Sequence, residues 1–298
     1  MDEDGRARCL LRIGAWKHMK QPALEHQTTE HLDNESIIPV YVFFKTLLQD
    51  RKAPETGVKL YTIGEDRWTK DTAWPDPTGE KLLWLDAGAK GKRLLDASPE
   101  LESQAGYVYD PADPLPCWGT ESCLKSMFAV GSLLQPEPDY RPDVLSFVSA
   151  PMEEDLRILG ALRAELYVCS DAEDTAFVMK VSEVFPDGSA YNIRTAATTL
   201  AYRGHSSSRQ SYTPGETVPV RLDAWDIAWT VKAGSRIRVY ISSADFPEYS
   251  VHSNFAGTWS EQEQQRTAHQ TVFCGGEHAS VLRIPFVTET PREDEIRS

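Results

Sequence analysis

From residue 143 onward the chain is a succession of short apolar or alternating runs: 143–149 (DVLSFVS), 158–170 (ILGALRAELYVCS), 175–185 (TAFVMKVSEVF), 190–203 (AYNIRTAATTLAYR), 217–222 (TVPVRL), 226–232 (DIAWTVK), 235–243 (SRIRVYISS) and 270–287 (QTVFCGGEHASVLRIPFV). So many strand candidates at short spacing, with almost no strong helix among them, predict an all-β fold: an antiparallel β-sandwich of jelly-roll type. Between the third and fourth runs, Pro186 to Ser189 (PDGS) combines a proline with an Asp-Gly pair and predicts a hairpin turn.

The first half is less regular. Residues 36–50 (SIIPVYVFFKTLLQD) predict a short helix that stops near Asp50, before the proline and glycine of 51–57 (RKAPETG). Residues 58–64 and 81–86 read as strands, with a loop over 65–77 that carries Trp68 and Trp74. From 87 to 143 the Gly, Pro, Asp and Ser content predicts long loops lying over a core surface. The expected organisation is an N-terminal segment, 1–57, whose helix packs on the sandwich, a sandwich over 58–288, and a solvated, disordered tail over 289–298. With 298 residues, of which 41% are hydrophobic, the chain can bury a substantial core.

A formal charge of -14, without a long basic run, argues against a nucleic-acid partner. The charged start MDEDGRARCLL has no apolar signal region and no stretch approaches 18 apolar residues, so a soluble, cytoplasmic protein without a membrane partner is expected. Cys9, Cys117, Cys123, Cys169 and Cys274 form an odd set without zinc spacing and are expected as reduced thiols. Asp171, Glu173 and Asp174 lack the spacing of a calcium loop and read as a solvated turn, so no metal site is expected. There is no nucleotide, flavin or haem motif, and no cofactor is expected.

Several ordered motifs share one register: IGAWKH from Ile13, IGEDRW from Ile63, WPDP from Trp74, YDPADPLP from Tyr109, RPDVLSFVSAP from Arg141, SDAEDTAF from Ser170, VFPDGSA from Val184 and GSRIRVYISSADFP from Gly234. Together they resemble the C-terminal domain of the X-Pro dipeptidyl-peptidase and cocaine-esterase family of serine hydrolases, over nearly the whole chain. The resemblance implies a jelly roll that packs against an α/β-hydrolase domain and helps to form its substrate cleft. It also places His18, in IGAWKH, on the position of the triad histidine, and makes the N-terminal helix and loops a remnant of the hydrolase domain. In that family the nucleophile and acid precede the histidine, and no G-x-S-x-G occurs in the sequence. Ala15, Thr120 and Ala176 depart from the family's proline, glycine and second aspartate.

His18 is therefore the candidate catalytic residue, with no Ser-His-Asp partners of its own. Tryptophans in loops and strand ends either plug the ends of a sandwich or line a cleft. On the cleft reading, Trp16, Lys17, Trp68, Trp118 and Trp225 are candidate substrate-binding residues. So are Phe246, Tyr249 and His252, on a loop that mixes apolar walls with a few directional polar groups. The leading expectation is a stand-alone sandwich, repurposed to bind a small apolar substrate and to catalyse a cyclisation, cycloaddition, isomerisation or dehydration in natural-product biosynthesis by positioning alone. Two others stand beside it: the non-catalytic half of a split hydrolase whose partner chain supplies serine and aspartate, and a carbohydrate-binding sandwich. Loss of an ancestral domain would leave an apolar surface through which a homodimer could form.

Overall fold

The computed structural model describes residues 8–17, 24–32, 37–119, 121, 130–258 and 262–288. The expected disordered tail over 289–298 lies outside these. The chain is predominantly strand. Strands β1 (Leu10–Ile13), β2 (Gly57–Thr62) and β3 (Arg67–Asp71) form a three-stranded sheet in which β1 runs parallel to β2 and β3 antiparallel to it. The eleven-stranded sheet contains β4 (Gly79–Asp86), β5 (Arg93–Leu95), β6 (Ser103–Tyr109), β7 (Leu145–Ser149), β8 (Leu156–Ser170), β9 (Ala176–Val184), β10 (Ala190–Thr199), β11 (Val218–Val231), β12 (Arg236–Ser242), β13 (Ala268–Cys274) and β14 (Val281–Phe286). Its order is β10-β9-β12-β7-β5-β4-β14-β8-β13-β6, with β11 on the other edge of β8. All its ladders are antiparallel except β5–β7.

This sheet folds over into a β-sandwich. Strand β8 shows why: every second residue, from Leu156 through Ile158, Leu162, Ala164, Leu166 and Val168, is buried, the period expected of a strand with one face in a core. Those side chains meet Phe147 of β7, Phe177, Met179 and Val181 of β9, and Val239 and Ile241 of β12 in one apolar cluster. Strand β9 is buried on both faces. Its second face, with Val178, Lys180 and Ser182, is roofed by the segment between β6 and β7, which puts the Trp118 carbonyl 3.3 Å from Lys180 Nζ. Beside it Arg238 Nη2 and the Tyr240 hydroxyl both donate to the Pro136 carbonyl, at 2.9 and 2.6 Å. A buried Lys180–Asp245 pair at 2.9 Å fastens the same roof.

Several expectations are corrected. Trp68 sits within β3 and not in a loop, and β5 and β6 cross the region read as loops from 87 to 143. The runs 217–222 and 226–232 are one strand, β11, because the break between them is a bulge at Asp223–Asp226 that leaves the ladder to β8 continuous. The run 270–287 is two strands, β13 and β14, parted by Gly275 and Gly276. Asp174 is not solvated: it is buried, accepts from Ala201 N at 3.0 Å and pairs with Arg209 at 3.1 Å. The predicted PDGS hairpin is present, closed by Phe185 N to Ser189 O at 2.8 Å, with Gly188 at φ 90°.

The N-terminal helix is α1 (Ile37–Phe44), continued by a π turn over Lys45–Gln49, and none of its residues is buried. What ties this end of the chain to the sandwich is the three-stranded sheet. Ile63 exchanges backbone hydrogen bonds with Ala228 O and Thr230 N of β11, at 3.0 and 2.8 Å. The Glu65 carboxylate takes Arg157 Nε at 2.8 Å and Thr230 Oγ1 at 2.9 Å. Gly64 between them is at φ +85°, and a Cβ there would stand 2.4 Å from the Thr230 carbonyl, so this close approach needs glycine. No described helix is long and apolar enough to cross a membrane.

Candidate functional site

Where the three-stranded sheet leans on β10 and β11, it leaves a cleft of about 410 Å³, within the range of small-molecule sites. Its aromatic walls are Trp16, Tyr61, Trp74, Trp225 and Trp229, and Ile13, Leu24, Ile63, Leu159 and Ile227 complete the apolar lining. The polar groups that reach it are Glu121, Ser132, Asn192, Arg194 and Asp226.

Each wall has a local cause. Trp229 is on the core-facing side of β11 and is 1% exposed, its indole N–H donating to the buried Glu183 at 2.8 Å. Burial pushes the Glu183 carboxyl up, opposed by that hydrogen bond. Trp225, four residues earlier, would share that face in a regular strand. The bulge turns it out, and it stands 77% exposed at the rim. Trp16 leans on Trp68, with ring centroids 5.6 Å apart, and Trp68 is fixed in turn by Tyr61, by the Arg12 guanidinium 4.3 Å above its ring and by its indole N–H donating to His31 O at 3.0 Å. The Tyr61 hydroxyl is held by Asp66, which also accepts His31 Nδ1 at 3.0 Å.

The polar groups divide by occupation. Asn192 holds the segment over β10, accepting from Leu133 N at 2.9 Å and Gln135 Nε2 at 3.0 Å and donating to Gly131 O at 3.2 Å. Arg194 gives Nη2 to the Asp226 carbonyl at 2.9 Å and sets Nη1 3.5 Å from Glu121 Oε1. Burial raises the Glu121 carboxyl above the usual carboxylate range, against the pull of Arg194 and of the Thr195 N–H. The Asp226 side chain is at the exposed rim beside Trp225.

Of the residues singled out from the sequence, Trp16 and Trp225 line this cleft. Trp68 supports Trp16 from behind, Lys17 is not part of the lining, and His18 lies outside the described residues. Trp118 is elsewhere, lining a gap of about 10 Å³ with Lys180 and Tyr240, too small for more than one water. The loop residues are not gathered in the cleft either. Phe246 forms a bridge to Pro116, its N–H donating to Leu115 O and its carbonyl accepting from Cys117 N, both at 2.8 Å. Tyr249 is half-buried, and burial among Glu121, Glu248 and Asp245 pushes its phenol up. His252 is occupied at both nitrogens: Nδ1 accepts from Asn254 N at 3.0 Å and Nε2 stands 3.6 Å from Asp174. The sequence reading missed Tyr61, Trp74, Glu121, Arg194 and Asp226. For Arg194 and Asp226 a signal was present, a charge inside or against a strand-like run, but no pattern said which face it would take.

The model of the X-Pro dipeptidyl-peptidase C-terminal non-catalytic domain matches residues 51–283. Cocaine esterase of Rhodococcus sp. (strain MB1 Bresler) is 30% identical over 247 residues, 80% of this chain and 43% of that protein. A putative serine esterase of Mycobacterium bovis is 24% identical over 254 residues, 78% of this chain and 38% of its own length. Among solved structures, an aminopeptidase from a marine sediment Thaumarchaeota archaeon superposes with a TM-score of 0.77 at 20% identity, over 96% of this chain and 50% of that one. An α-amino acid ester hydrolase gives a TM-score of 0.71 at 26% identity, covering 83% of this chain and 44% of its own. The chain thus spans less than half the length of the curated relatives it matches. With its sandwich, its motif order and this match over most of its length, the chain belongs to the X-Pro dipeptidyl-peptidase C-terminal non-catalytic domain family.

Proposed function

We propose that this chain serves as the non-catalytic β-sandwich of a serine hydrolase, docked on an α/β-hydrolase unit that carries the nucleophile and acid. The observation that carries the reading is α1: its sequence IIPVYVFF is apolar on all sides, yet Ile37, Ile38, Val40, Tyr41, Val42 and Phe44 are all exposed. A helix that is hydrophobic all round belongs inside a larger core. Leu11 and Ile13 of β1 add to the exposed apolar surface at this end of the chain, and Ile13 opens the IGAWKH run that leads to His18. Relatives that are esterases continue well beyond the matched region, which supports the same reading.

The test is an ester assay with p-nitrophenyl substrates, using the chain alone and the chain co-expressed with a G-x-S-x-G polypeptide from the same genome. Hydrolysis only in the presence of the second polypeptide, co-elution of the two, and loss of turnover in His18→Ala are the expected results. Turnover by the chain alone, or no complex with any such polypeptide, overturns the reading.

The cleft favours a second reading, in which the sandwich itself binds a small apolar molecule. Its volume and aromatic walls support binding, and catalysis by positioning would need no nucleophile. The named relatives are hydrolases, which lends a cyclase or pericyclase activity no support. A thermal-shift screen with apolar probes checks the binding: stabilisation lost in Trp225→Ala supports it, and no stabilisation by any probe removes it.

A further inference from the structure

We propose that residues 24–32 form a strap with one acid-released end: protonation of His26 frees the half that carries Leu24 and opens that wall of the cleft, while His31 keeps the other half on Asp66. The device belongs to the chain itself and is separate from its docking on a hydrolase unit.

The two halves are fastened by opposite chemistry. In the first, Leu24 lines the cleft and bridges to Ser132, and Glu25 Oε2 accepts from Leu134 N at 3.3 Å. The His26 ring lies flat on Tyr191 of β10, with centroids 3.6 Å apart and planes 16° apart; Phe185 meets it edge-on at 4.9 Å and Trp229 of β11 stands at 6.1 Å. Its Nε2 accepts from Gln27 Nε2 at 3.2 Å, and its Nδ1 is buried without a partner. A charged ring would have two N–H donors there and an acceptor for neither. Turning the Gln27 amide, whose Oε1 is also buried without a partner, would serve only one of them. No carboxylate among the described residues compensates: Glu25 is turned to Leu134, Glu183 is taken by the Trp229 indole N–H, and burial alone lowers the imidazole to about 4.

The second half is held by charge and hydrogen bonds. The His31 N–H donates to both Asp66 oxygens, at 3.1 and 3.2 Å, its ring Nδ1 stands 3.0 Å from Oδ2, and its carbonyl accepts the Trp68 indole N–H at 3.0 Å. Burial pushes the Asp66 carboxyl up, but the Tyr61 hydroxyl and the His31 ring and backbone N–H hold it below the usual carboxylate range, so it stays ionised where His26 takes up its proton. Arg12 lies over the Trp68 ring, 4.3 Å from its centroid. The His31 side chain is 74% exposed, so a second proton costs it little desolvation and adds charge attraction to a bond already made. Acid therefore loosens the Leu24 half and tightens the His31 half of one short segment.

The test is hydrogen exchange of the full chain, read by mass spectrometry as protection corrected for the intrinsic rate at each pH. Peptides over 24–28 are expected to lose protection roughly twentyfold between pH 7 and 5, while 29–32 and β8 keep theirs. His26→Phe keeps an aromatic stack without a titratable ring and is expected to abolish the loss. Asp66→Asn is expected to lower the protection of 29–32 at pH 7 by roughly tenfold. Independently of any variant, an NMR titration of the imidazoles is expected to give His26 a midpoint below 6.5. Loss of protection in both halves or in β8 together with 24–28, a loss that persists in His26→Phe, unchanged or rising protection of 24–28 at pH 5, or a His26 midpoint above 6.5, as the Tyr191 face would give if it held the cation, overturns the proposal. Because no ester is turned over, these outcomes are separate from those of the hydrolase assay.

Discussion

The eleven-stranded sandwich and the three-stranded sheet in front of it use the same kinds of residues and treat them in opposite ways. In the sandwich the core-facing apolar positions of β8, β9 and β12 are buried, and three charged groups that enter it have partners: Lys180 in Asp245, Glu183 in the Trp229 indole, Arg238 in the Pro136 carbonyl. At the N-terminal end Leu11, Ile13 and most of α1 are exposed, and the sheet is joined to β11 and β8 by a single-residue bridge and the Glu65 clamp. The sandwich buries its core-facing side chains within itself, whereas the N-terminal end leaves an apolar helix largely in solvent.

The comparison breaks most severely if the sandwich tolerates loss of its internal pairings. Lys180→Met leaves Asp245 buried without its cation and is expected to cost about 3–5 kcal/mol in urea unfolding, with Lys180→Met/Asp245→Leu recovering most of it. Leu162→Ala opens a cavity in the centre of the cluster and is expected to cost about 3 kcal/mol in the same measurement. Trp229→Phe removes the donor to Glu183 and is expected to cost about 2 kcal/mol. A smaller effect belongs to the N-terminal segment. His26 stacks on Tyr191 with ring centroids 3.6 Å apart, and burial holds its imidazole at about 4 instead of 6.5. Between those values the unfolded chain takes up a proton that the folded chain does not, so stability is expected to fall as pH drops from 6.5 to about 4. Unfolding midpoints measured across this range should flatten in His26→Phe. Least of all, Ile38→Ser on α1 is expected to change the stability of the isolated chain by less than about 0.5 kcal/mol. A large loss there would show that α1 already has a partner within the chain.

How far the sequence could be read follows the same division. Strands β7 to β10 and β12 were legible because their apolar periods are long and their turns carry Pro, Gly and Asp. Strands β5 and β6 were not, since RLL is three residues long and SQAGYVY has only two buried side chains, both tyrosines. For the cleft, Trp16 and Trp225 were legible as large aromatics at irregular points. Trp118 and His252 carried the same signal but have structural work, one over the buried lysine and the other binding its own loop to Asp174.

Local order in the chain determined the all-β class, the hairpin at Pro186–Ser189 and the place of the helix, because alternation, turn chemistry and a closing proline act within a few residues. Only the tertiary structure decided that Trp225 would face outward while Trp229 faces the core, and that Glu121, Arg194 and Asp226 would meet around one space. The first depends on one bulge that rephases a strand, and the second joins residues from a loop, β10 and β11. A strand's periodicity fixes which side chains share a face; it takes the packing of the sheets to fix what that face meets.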